Sequence, residues 1–146
     1  MLSKRLVAAA CGALVLPAAF AASAQSSSGQ TASTGIYSKA QAARGAALYA
    51  DACARCHGAS MEGLDVAPPL TGQRFLGNWT NQSVAELAKR IRTSMPLDMP
   101  GSLGLAASAD LTTAILAANG YPAGAADLPS NAAGQQPLTV DSPPAK

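Results

Sequence analysis

All-α is the architecture that this 146-residue chain points to: about three to five short helices around a centre that its own side chains fill poorly. Three observations lead there. Apolar residues recur at helical spacing in separate stretches, and no run holds the period-two alternation of a half-buried strand. Serines suited to capping stand just before two of those stretches. The apolar share is 49%, yet alanine inflates it, and the only aromatics are two Phe, three Tyr and one Trp. At about 25 cal/mol per Å² buried, a core made of alanine is thin. Something besides these side chains is expected to occupy the centre.

The first 24 residues read as a secretory signal. Lys4 and Arg5 give a positive start, Leu6 to Phe20 is an apolar run, and Ala22 and Ala24 flank Ser23 in an A-x-A site, so cleavage is expected after Ala24. The run contains Pro17 and falls short of the roughly 20 residues that span a bilayer. Residues 25–36, polar and low in complexity, are expected to form a flexible lead. Ser38 caps a helix expected from Lys39 to Ala50, with Ala42, Gly45, Ala46 and Tyr49 at helical spacing. A loop follows, punctuated by Gly58, Gly63, Pro68, Pro69 and Gly72. A helical turn is expected over Phe75 to Trp79. Ser83 and Glu86 form a capping box ahead of VAELAKRIRTS, with Val84, Leu87 and Ile91 on one face. Pro96 and Pro100 interrupt the chain. A last helix is expected to open at Ser108 or Asp110 and to close at Asn119-Gly120. The domain is expected over 37–123, with a Pro/Ala-rich tail over 124–146 that starts packed and ends loose.

Removal of the signal changes the charge and the cysteine count. Lys4, Arg5 and Cys11 leave, so 8 Lys+Arg face 8 Asp+Glu and two cysteines stay. The net charge of +2 belongs to the precursor. A near-neutral mature chain gives no ground for a nucleic-acid or anionic-membrane partner, and no stable membrane insertion is expected.

Those two cysteines sit in DACARCHGAS as Cys53-Ala54-Arg55-Cys56-His57, and His57 is the sole histidine of the chain. A structural zinc site needs four ligands, one more than this set supplies. A redox dithiol of the thioredoxin kind calls for a βαβ setting that the pattern lacks. A disulfide suits an exported chain but leaves the adjacent histidine without a task. C-x-x-C-H is the attachment signature of haem c. On a helix, Cys53 and Cys56 are i and i+3, so both sulfurs reach the two vinyl-derived carbons of one porphyrin, and His57 follows on that face toward the iron. A haem also supplies the missing apolar bulk, so the apo chain is expected to be largely unfolded.

From Tyr37 to Gly120 the residues resemble the class I cytochrome c family, whose fold is a few helices wrapped around one covalently bound haem. RGAALYADACARCHG places Gly45 and Tyr49 eight and four residues before Cys53. The resemblance implies that this glycine and aromatic let the first and last helices cross closely. APPLTG is similar to the family's Pro-x-Leu-x-Gly segment. That implies a hydrogen bond from His57 to the Pro68 carbonyl, and Leu70 packed on the haem. One position departs from the family: Ala114 stands three residues after Leu111, where an aromatic is usual, so the crossing is expected to be thinner.

With no second histidine, methionine leads for the sixth iron ligand, and Met61, Met95 and Met99 are the mature candidates. Met61 is close to His57 in sequence and is expected to pack. Met95 and Met99 each precede a proline, so composition alone does not choose between them. The resemblance favours Met95, in its M-P-x-x-x-P-G-S-L arrangement. Thioether ligation suits electron transfer. Trp79 is expected in the core or beside a haem propionate, and Arg74 and Arg92 are candidates to pair with propionates. The function expected is a periplasmic one-electron carrier, not an enzyme. Its partners would be redox proteins, with a dehydrogenase as donor and an oxidase or another cytochrome as acceptor. The alternatives are a cytochrome subunit of a periplasmic dehydrogenase complex, and a haem enzyme or gas sensor with an open sixth position.

Overall fold

The computed structural model describes residues 29–65 and 67–145. The signal segment expected over 1–24 lies outside the described residues. Among the described residues, six α-helices follow in order: α1 (Lys39–Ala52), α2 (Ala54–His57), α3 (Gly72–Trp79), α4 (Val84–Ser94), α5 (Leu105–Ala118) and α6 (Ala132–Gln135). Two of the six, α2 and α6, are single turns, and a 3₁₀ turn over Ala32–Thr34 precedes α1. Among the described residues there is no strand, only isolated bridges. The fold is all-α, as the sequence predicts.

Local chemistry sets the helix ends. The Ser38 hydroxyl accepts the Gln41 N–H at 3.0 Å to open α1, and Ser83 accepts Glu86 N–H at 3.2 Å to open α4. The α5 start differs from the expected one. It lies at Leu105, with Gly104 as an N-cap that has no side-chain bond. Ser108 does not cap, because its hydroxyl donates back to Gly104 O at 2.9 Å from inside the helix; Thr112 does the same to Ser108 O at 2.7 Å. Asp110 is taken by Arg44 at 3.1 Å. The far end is a Schellman stop: Gly120 has φ 86°, its N–H reaches Ala117 O, and Tyr121 N–H reaches Leu116 O.

The crossing of α1 with α5 is the central contact. A Cβ at Gly45 would lie 1.8 Å from Asp110 O and 3.0 Å from the Ala114 Cβ. The alanine at 114 therefore does not thin the crossing. The two backbones approach so closely that a larger side chain would have no room, and both Leu111 and Ala114 are buried.

Both flanks of the domain pack on it. In the lead, expected to be flexible, Ala32 is fully buried and its N–H donates to Thr139 O at 2.9 Å. In the tail, expected to end loose, Leu128, Leu138 and Val140 are buried. Val84 N–H, a donor that a helix start leaves without an internal partner, bonds Leu138 O at 2.8 Å. Val140 exchanges backbone bonds with Asn81 and Gln82. Gln41 closes a two-way pair with Leu128, donating to its carbonyl at 3.1 Å and accepting its N–H at 2.6 Å. The tail thus supplies bulky apolar side chains that the helices lack. With Tyr37, Phe75, Val84, Leu111 and Leu116 these residues form one core.

Candidate functional site

Cys53 closes α1 and opens α2, so the motif is carried on a kinked helical pair. Cys56 N–H and His57 N–H both donate to Cys53 O, at 3.1 and 3.0 Å. Cys53, Cys56 and His57 are thereby gathered in one turn. Both cysteines are free thiols; Cys56 is exposed and Cys53 half-buried. Burial, and secondarily the neighbouring Cys56, pushes the Cys53 thiol above the ordinary range.

The His57 ring is fixed by the loop that follows. Gly58 turns the chain at φ 82°, and its carbonyl accepts the Tyr49 hydroxyl at 2.6 Å, which ties the motif's end to α1. Burial, then the charges at Cys53 and Glu62, raises the Tyr49 phenol to about 12. Gly63 N–H donates to His57 O at 2.7 Å, and Leu70 N–H donates to Met61 O at 2.9 Å. This folding brings the Pro68 carbonyl 2.8 Å from His57 Nδ1, as the family likeness implies. A carbonyl only accepts, so Nδ1 carries a proton, and in the neutral ring Nε2 keeps its lone pair. Leu70 is half-buried against the core.

Asn119 holds this loop from the other side, a task its sequence context does not reveal. Its amide donates to Leu70 O at 2.9 Å and accepts Gly72 N–H at 3.0 Å. The Asn-Gly pair is legible as a helix stop, but the clamp depends on a partner about fifty residues away.

The three methionines occupy different settings. Met61 is buried in the core, with its N–H on Gly58 O at 3.2 Å. Met95 is the C-cap of α4; its N–H bonds Ile91 O at 3.0 Å, its backbone then turns extended, and the residue is half-buried. Met99 is 60% exposed. The Met95 loop reaches the cysteine motif through an ion pair between Arg55 and Asp98. The hydrogen bond from Arg55 holds the Asp98 carboxyl below the usual carboxylate range. Trp79 is half-buried on the core with its ring 6.4 Å from that of Phe75. Arg74 is exposed and Arg92 half-buried.

Donor chemistry fits a haem c here. Two adjacent free thiols can bond vinyl carbons, and an imidazole with its Nδ1 proton committed presents an available Nε2 to iron. Residues 40–111 match a family model described as cytochrome c oxidase, cbb3-type, subunit III. Over these residues the chain carries a cytochrome c domain, similar to the class I family. The match takes in the thiols, His57, the Pro68 segment and Met95, and runs into α5. A chain in the crystal structure of the sulfane dehydrogenase SoxCD from Paracoccus pantotrophus is similar at 28% identity, over 56% of this cytochrome and 44% of that chain, with a TM-score of 0.46. This cytochrome thus spans less than half the length of that chain. None of the curated proteins matches it. A cytochrome c domain implies haem-based electron transfer. No described helix is long and apolar enough to cross a membrane.

Proposed function

We propose that this cytochrome is a periplasmic one-electron carrier with a single haem c, attached through Cys53 and Cys56 and ligated by His57 and Met95. The observation that carries this is the His57 Nδ1 contact with Pro68 O, beside two free thiols in the same turn. Each thiol would add its sulfur and its proton across one vinyl group, so nothing else is consumed. A haem c bound there supplies a one-electron Fe(III)/Fe(II) couple.

The protein's own residues do the rest. Pro68 holds the His57 ring and its tautomer, which keeps Nε2 directed to the iron as a ligand. The Tyr49–Gly58 bond and the Asn119 clamp hold the loop that carries Pro68. Met95, which ends α4, is the thioether ligand, and Met61 is committed to the protein core. With His57 and Met95 both holding the iron, no position on it would be left for a substrate, so the role is transfer rather than catalysis. The donor is a periplasmic dehydrogenase and the acceptor an oxidase or another cytochrome, met in brief complexes.

The test is the exported protein itself. Its mass should exceed that of the processed polypeptide by one haem, and its ferric form should show the weak red band of thioether-ligated iron. Met95→Ala should abolish that band and Met99→Ala should keep it. The reverse pattern would overturn the ligand assignment, and a pigment-free mass would overturn the whole reading. Carbon monoxide bound by the reduced native protein at neutral pH would establish an open sixth position instead.

A further inference from the structure

We propose that the Arg55–Asp98 ion pair is a latch that positions the Met95 loop against the haem edge and sets how often the sixth ligand lets go. This rests on the reading of Met95 as that ligand.

The loop from 96 to 103 has little else to hold it. Its own backbone bonds are internal: Met99 N–H to Pro96 O at 3.0 Å, and Ser102 N–H to Met99 O at 3.2 Å. Leu97 and Met99 are 76% and 60% exposed, so no protein side chain buries the middle of the loop. Leu103 packs on the core only at its far end. Among the described residues, Arg55–Asp98 is the one hydrogen bond or ion pair that joins this loop to another element.

The position of each partner gives the pair its leverage. Arg55 stands between Cys53 and Cys56, so once both sulfurs are bonded its backbone is fixed to the porphyrin edge from two sides. Asp98 is three residues after Met95. Restraining it restrains the thioether without touching the iron. The side chains are 63% and 52% exposed, and exposed pairs add little to global stability. Breaking this one therefore frees the loop and leaves the domain folded.

Imidazole added to the ferric holoprotein reports on this directly, because it takes the iron only when the methionine has left. Its apparent affinity rises in proportion to the open fraction. Arg55→Gln and Asp98→Asn should each tighten imidazole binding about two- to fivefold. The double variant should go no further than either single one, since both remove the same contact. Arg55→Lys should retain part of the restraint, and the exchange Arg55→Asp with Asp98→Arg should restore it. Asp98→Asn leaves the C-x-x-C-H segment intact, so its result stands even if changing Arg55 hinders haem attachment. Single variants that bind imidazole as the native protein does, or effects that add in the double variant, would overturn the latch. Met95→Ala separates the two readings. If it tightens imidazole binding while Asp98→Asn does not, the latch alone falls. If it leaves both the thioether band and the imidazole affinity unchanged, the ligand assignment falls, and the latch with it.

Discussion

Replacing Gly45 by alanine sets two effects of opposite sign against each other. Alanine inside a helix is favoured over glycine by about 1 kcal/mol, which argues for a more stable protein. The new Cβ, however, would sit 1.8 Å from the carbonyl oxygen of Asp110, and that oxygen belongs to the backbone of α5 rather than to a side chain that can swing aside. Real Cβ contacts essentially never fall under 3.0 Å, so the helices must part by roughly 1.2 Å along the whole crossing. Overpacking of this kind costs about 3 kcal/mol. The clash wins by about 2 kcal/mol, and for a chain of this size the unfolding midpoint should fall by about 6–10 °C. Thermal unfolding of the holoprotein, followed by far-ultraviolet circular dichroism, measures it. Gly77→Ala is the matched control. It is the same substitution inside α3 with nothing within 4 Å of the new methyl, so its midpoint should rise by about 3–5 °C. A Gly45→Ala protein that melts at or above the native temperature would refute the close crossing.

Other expectations concern the site and its supports. Asn119→Ala strips Leu70 O and Gly72 N of their partner and should cost about 1–2 kcal/mol in denaturant titrations. Cys53→Ser with Cys56→Ser should yield a pigment-free chain, and its far-ultraviolet dichroism should show the loss of most helix. Tyr121 carries the pH prediction. Burial, then the Asp141 charge, raises its phenol to about 12 in the folded state. The neutral form is the one that folding favours. Its contribution is complete below pH 10 and is lost as the pH climbs toward 12. Tyr121→Phe should therefore flatten the alkaline fall of the melting temperature; an unchanged slope would count against it.

Features written in local chemistry are legible in the amino-acid order alone. Ser38 and Ser83 cap their helices because a hydroxyl needs only the N–H three residues on. The C-x-x-C-H turn and the Asn119-Gly120 stop are likewise short-range. The α5 start is harder to place because Ser108 has two uses for one hydroxyl, capping forward or bonding back, and the sequence does not rank them. The docking of the lead and tail is illegible for a different reason. Ala32, Leu138 and Val140 follow no helical period; they are held by backbone bonds to distant carbonyls and amides that any residue could make. Arg55 and Asp98 read as ordinary surface charges, since nothing near either one names the other.

The tight fit between Gly45 and Asp110 also bears on the order of events in the cell. A polypeptide delivered from its N-terminus presents Cys53 and Cys56 well before the segment that becomes α5 has arrived. During that interval α1 has nothing to lock onto, and the two sulfurs would still be open to the porphyrin that the proposed function assigns them. If the chain is exported as proposed, haem attachment would have a head start over closure of the α1–α5 crossing.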